Sequence, residues 1–110
     1  MAKKSKRDEF EKSMVAHAKS FRAFRKINRF ERQSLPLYPT LREALESAQQ
    51  AFDKDDTSNM SWNQIHQGFL IYAITEHCTI EFTTPVLGLQ RGDDLEEKIR
   101  EFQNLYEIEV

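Results

Sequence analysis

A chain of 110 residues is one domain by size, and its single Cys rules out an internal disulfide. The hydrophobic fraction of 39% is low and the charged fraction of 31% high, but eight Phe, three Tyr and one Trp supply enough apolar area for a folded core. The net charge of -2 conceals a division: residues 1–34 hold 11 Lys+Arg against 4 Asp+Glu, and residues 35–110 hold 5 against 14. That asymmetry points to a polyanion-binding face, or to a basic element that docks on an acidic partner.

The first seven residues, MAKKSKR, read as a flexible basic arm, and residues 8–110 as a single helical domain. Asp8 to Arg32 contains neither Gly nor Pro. Phe10, Met14, His17, Ala18, Phe21 and Phe24 recur at steps of three and four, which predicts one long helix near 8–33. On that wheel Lys12, Lys19, Arg22, Lys26 and Arg29 share the opposite side, and Arg25 and Arg32 add charge toward the helix end. Phe30 falls off the apolar face. Pro36 and Pro39 then impose an extended link, whose Leu35, Leu37 and Tyr38 are apolar enough to lie against the core.

Thr40 and Glu43 form a capping-box pattern that opens a helix over 40–53, with Leu41, Ala44, Leu45, Ala48 and Phe52 at helical spacing. Ser61 and Gln64 repeat the pattern and predict a third, largely buried helix over 61–77, interrupted by Gly68. Residues 79–83 alternate as a short strand. A last helix is predicted over 93–105, and residues 106–110 either extend it or pair with 79–83. No internal repeat is visible.

The stretch between the second and third helices, AFDKDDTSNMSWNQIHQGFL, resembles an EF-hand, the helix–loop–helix calcium module. Asp53, Asp55 and Thr57 match loop positions one, three and five, and Met60 matches the apolar position eight. The resemblance implies a calcium loop, but Ser58 replaces the turn glycine and Gln64 replaces the closing bidentate Glu. With one neutral oxygen at the last position, calcium affinity should be poor, and a polar turn leading into a helix cap is the preferred reading.

His17, His66, His77 and Cys78 show no zinc-like spacing, and Cys78 reads as structural rather than catalytic. Asp93, Asp94, Glu96, Glu97 and Glu101 are dense, but Lys98 and Arg100 lie among them as in a solvated helix face.

These readings combine into a mostly α, compact four-helix domain with a long basic N-terminal helix. The alternative is α+β with a small two-stranded element. The expected function is that of a small cytoplasmic, non-enzymatic binding or regulatory protein, without a cofactor and without a membrane span. It would contact nucleic acid through Lys12, Lys19, Arg22, Arg25, Lys26, Arg29 and Arg32. The alternative is a protein–protein module or homodimer that binds an acidic protein surface, and the third reading is a degenerate EF-hand.

Overall fold

The computed structural model describes residues 9–75 and 85–108, and the side chains of Phe10 and Met14 lie outside that description. So do the arm over 1–7, the candidate strand over 79–83, His77 and Cys78.

The fold is α+β, not a four-helix domain. The helix at the N-terminus, α1 (Glu9–Ala16), is only two turns long. Two strands follow, β1 (Ser20–Lys26) and β2 (Arg32–Ser34), and then α2 (Leu41–Lys54). A short α3 (Trp62–Ile65) leads into β3 (Phe69–Ile74), β4 (Leu87–Leu89) and α4 (Leu95–Tyr106). The four strands form one antiparallel sheet in the order β2-β1-β3-β4. No described helix is long and apolar enough to cross a membrane.

Among the described residues the element order α–β–β–α therefore runs twice, with β1 and β3 paired with each other and β2 and β4 outside them. Each half opens on a short helix closed by a His. His17 Nδ1 meets the Ser13 carbonyl at 2.9 Å, and His66 Nδ1 meets the Trp62 carbonyl at 2.9 Å. This repeat lives in the topology, because the residues that build the two halves differ too much to read as a repeat.

The long predicted helix fails at Ala16. From Ser20 the chain alternates instead of following a period of 3.6. Phe21, Ala23 and Arg25 are buried, while Arg22 and Phe24 face the other way. Phe21 and Phe24, read as one helix face, lie on opposite faces of the sheet. Pairing decides this: Ser20 to Phe24 are in register with Ile74 to Leu70, so the strand gains a cross-strand ladder and Phe21 gains a core. His17 is exposed rather than packed on an apolar helix face.

The predicted helix over 61–77 also stops early, after Ile65. Its capping box is present, Ser61 accepting from the Gln64 backbone N–H while the Gln64 side chain accepts from the Ser61 N–H. The run FLIYAI beyond it is β-branched and aromatic and pairs on both sides, so it becomes a central strand. Gly68 marks the change. A Cβ there would stand 2.5 Å from the Leu89 carbonyl oxygen, so only glycine lets the chain pass β4 this closely.

The helices α2 and α4 meet their expected bounds closely. Thr40 caps α2 by accepting from the Glu43 N–H, and Asp94 caps α4 by accepting from the Glu97 N–H. Tyr106 ends α4 as a helical residue, and Glu107 closes it in the left-handed conformation, so 106–108 is not a strand. The link after β2 lies along β1, where Phe21 and Tyr38 exchange backbone hydrogen bonds of 2.7 and 2.9 Å.

The core lies between one sheet face and the helices. Leu41, Leu45, Phe69, Ile71, Leu89 and Phe102 are its largest fully buried side chains. Phe21 meets Phe102 of α4 edge-on at 6.1 Å, and Phe52 of α2 meets Phe69 at 5.1 Å, so both helices cover the same face. The opposite face of the sheet carries none of these packing partners.

Candidate nucleic-acid interface

Strand alternation determines what the second face, which no described helix covers, presents. From β1 it receives Ser20, Arg22, Phe24 and Lys26, from β2 Arg32 and Ser34, from β3 Leu70, Tyr72 and Ile74, and from β4 Gly88. Phe24 and Tyr72 are half-buried and stand edge-on with ring centroids 6.3 Å apart. Leu70 is 41% exposed, unusual for a central-strand Leu. A Cβ placed on Gly88 would meet nothing within 4 Å among the described residues.

None of these ten strand positions is acidic. Lys26 and Arg32 stand directly opposite each other in the β1–β2 register, although like charges in that relation destabilise a sheet. Neither forms an ion pair within the described residues. Arg22 faces Tyr72 across β1 and β3, and its Nε is buried with no hydrogen-bond partner among the described residues. The Arg22 Nε–H is thus left unsatisfied four residues along β1 from the Lys26–Arg32 pair, on the same face of the sheet.

The β1–β2 turn extends this surface. Asn28 Oδ1 accepts from the Phe30 and Glu31 backbone N–H groups at 2.8 and 2.9 Å, and Asn28 Nδ2 donates to the Glu31 carboxylate at 2.8 Å. The turn is therefore built by its own side chains, and Glu31 is held within it. Phe30 projects from the tip at 87% exposure, with the Arg29 guanidinium 6.0 Å from its ring centre.

The seven basic residues expected on one helix thus separate. Arg22, Lys26 and Arg32 share the open face, and Arg29 sits at its turn. Lys12 lies on α1 and pairs with Glu107 at 2.9 Å. Lys19 precedes β1 and is exposed. Arg25, one residue from Lys26, points the opposite way into the protein and is 7% exposed.

Arg25 belongs to a structural network. Its Nη1 and Nη2 donate to the two Asp55 oxygens at 2.8 and 2.9 Å, and its Nε donates to Gln33 Oε1 at 2.8 Å. The guanidinium lies over Phe69 at 4.7 Å. Arg91 adds a third donor to Asp55 at 3.1 Å and also donates to the Phe52 carbonyl at the end of α2 at 3.2 Å. The Arg25 hydrogen bonds, with help from Arg91, hold the Asp55 carboxyl below the usual carboxylate value despite its partial burial.

That network removes the calcium loop. Asp55 would be a ligand, but both its oxygens face guanidinium groups. Asp56 accepts from Ser58 and Asn59, which lowers its pKa and caps a 3-10 turn over Thr57–Asn59. Gln64 Oε1 is taken by the Ser61 N–H. Among the described residues no group of three His, Cys, Asp or Glu side chains could hold a metal ion. The α4 carboxylates are likewise structural: Glu96 meets Arg42 of α2 at 2.7 Å, Glu101 meets Lys98 at 2.8 Å, and Asp93 accepts from the Gln90 N–H at 2.7 Å.

No family model, curated protein or solved structure matches this chain. The sequence reading missed Phe24, Leu70, Tyr72 and Gly88 as surface residues. The alternation in SFRAFRK and FLIYAI was the signal that could have found them.

Proposed function

We propose that this protein is a non-enzymatic module that binds single-stranded nucleic acid on the open face of its sheet. The observation that supports this reading best is the Lys26–Arg32 pair, with Arg22 further along β1 on the same face, among aromatic side chains and with no carboxylate at the described strand positions. Such a surface offers cations to phosphates and π-faces to bases. A flat face suits splayed bases better than a duplex groove, which calls for a protruding helix or ribbon. The basic element is thus a sheet and its turn.

A homodimer through the same face is the reading it must displace. Two copies would bring Arg22, Lys26 and Arg32 against their own kind with no acidic residue among the described strand positions of that face to answer them, which disfavours that packing.

Fluorescence anisotropy with labelled 12-mers of DNA and RNA tests the proposal. Contact with four phosphates through Arg22, Lys26, Arg29 and Arg32 gives a log–log salt slope of about -3, at roughly 0.7 per phosphate on single strands. Reversing Arg22, Lys26 and Arg32 to Glu should abolish binding while α2 and α4 stay folded. A variant that binds both oligonucleotides as the wild type does, or a wild type that binds neither, refutes the proposal.

A further inference from the structure

At the end of β1, where the sheet gives way to the C-terminus of α2, a surface pocket of about 270 Å³ opens. Lys26, Ile27, Lys54, Met60, Gln64 and Gln67 line it. Building on the proposed function, we infer that this pocket receives one nucleobase of the strand that lies on the sheet.

Lys26 supplies the continuity. Its strand position places it on the same sheet face as Phe24, and it is also one of the residues that line the pocket, with its neighbours Arg25 and Ile27. A strand that runs along the face toward the β1–β2 turn therefore reaches the pocket mouth without leaving cationic surface.

Size limits the occupant. Small-molecule sites usually span roughly 300–1,000 Å³. A pocket just below that range admits a single base with its sugar and excludes two stacked bases.

The chemistry fits an aromatic heterocycle with an attached phosphate. Ile27, Met60 and the lysine stems give apolar walls for a ring. Gln64 is held in place because its Oε1 is bonded to the Ser61 N–H, which leaves its amide N–H donors for a base edge. Gln67 is exposed, and its side chain makes no hydrogen bond among the described residues, so it offers a donor and an acceptor. Asp55 and Asp56 reach the same pocket, but Asp55 is saturated by Arg25 and Arg91, and Asp56 by Ser58 and Asn59. The charge of Asp55 is answered by the two guanidinium groups, whereas Asp56 stays anionic with its oxygens held by neutral donors. Lys26 and Lys54, without ion pairs among the described residues, remain for a phosphate.

Trp62, the one Trp of the chain, is a built-in reporter. It lies between Met60 and Gln64 in sequence, is 71% exposed, and stacks on His66 at 4.3 Å. The test titrates UMP, AMP and an oligo-dT 12-mer while following Trp62 emission, in wild type, in a Lys54→Met/Gln67→Ala double variant, and in Phe24→Ala. Both pocket positions are exposed, so the double variant should fold normally. The expected result is saturable quenching by mononucleotides at millimolar concentration in wild type and in Phe24→Ala, but not in the double variant. The double variant should also bind the 12-mer about tenfold more weakly.

Mononucleotides that leave Trp62 unchanged, or a double variant that binds every probe as wild type does, overturn the pocket. If Phe24→Ala still weakens the 12-mer in that case, the sheet reading survives. Mononucleotide binding without any 12-mer binding overturns the sheet reading, and with it the inference that the pocket extends a strand path.

Discussion

Replacing Asp55 by Ala should be among the most damaging single changes in this protein. Arg25 is 7% exposed, and two of its three charged donor groups end on Asp55. Each hydrogen bond to a charged group is worth about 1.5–3 kcal/mol. Losing one partner of a buried ion pair costs about 3–5 kcal/mol, because the other charge stays buried and unanswered. The two figures agree, and about 3–5 kcal/mol is a large part of the roughly 5–15 kcal/mol that holds a domain folded. With a urea slope of about 2 kcal/mol per molar, the unfolding midpoint should fall by about 1.5–2.5 M. Asp55→Asn keeps one acceptor and should lose less. Arg25→Met in the Asp55→Ala background should recover part of the loss, since the buried cation is then gone. A midpoint within about 0.3 M of wild type for Asp55→Ala would refute this reasoning. The same pair predicts acid sensitivity. Because the folded-state pKa of Asp55 is depressed, its contribution is complete above the usual carboxylate value of 3.8 and disappears as the pH falls through its lower folded value.

Other outcomes follow from particular contacts. Gly68→Ala places a methyl group 2.5 Å from a backbone carbonyl that cannot rotate away, so thermal denaturation should show a loss of about 1–3 kcal/mol, while Gly88→Ala, in open space, should cost little. Millimolar calcium should change neither Trp62 emission nor the melting temperature, because Asp55 and Gln64 are already committed to Arg25, Arg91 and Ser61; a saturable response at micromolar calcium would contradict that assignment. Phe24→Ala should weaken oligonucleotide binding by about 1–3 kcal/mol, the range for one stacked base, with Phe24→Tyr close to wild type in the same anisotropy titration.

The parts of the fold that announce themselves locally were legible in the sequence. Thr40, Ser61 and Asp94 are caps whose partners lie three residues on, so α2 and α4 could be read without knowing the rest of the chain. The sheet was not legible in this way. Phe21 and Phe24 satisfy a helical step of three as well as a strand in which each serves a different face, and only the pairing with β3 selects between them. Gly68 was noticed as a misfit within a helix, but its cause is β4, some twenty residues further on.

The same ambiguity scattered the candidate site. A period of 3.6 places Lys12, Lys19, Arg22, Lys26 and Arg29 on one side. A period of two keeps Arg22 with Lys26, turns Arg25 inward, and recruits Arg32 across the turn. The charge asymmetry between residues 1–34 and the remainder can be counted in the sequence, whereas the placement of those charges depends on long-range pairing.

Chemical-shift mapping tests the proposed nucleic-acid interface most directly. Titrating the 15N-labelled protein with an unlabelled 12-mer should move the amide signals of Arg22, Phe24, Lys26, Arg32, Leu70 and Tyr72 together, with one dissociation constant, and leave α2 residues such as Glu43 and Glu46 unmoved. Shifts confined to the helices, or none on β1 and β3 at saturating oligonucleotide, would contradict the assignment of the open sheet face as the binding surface.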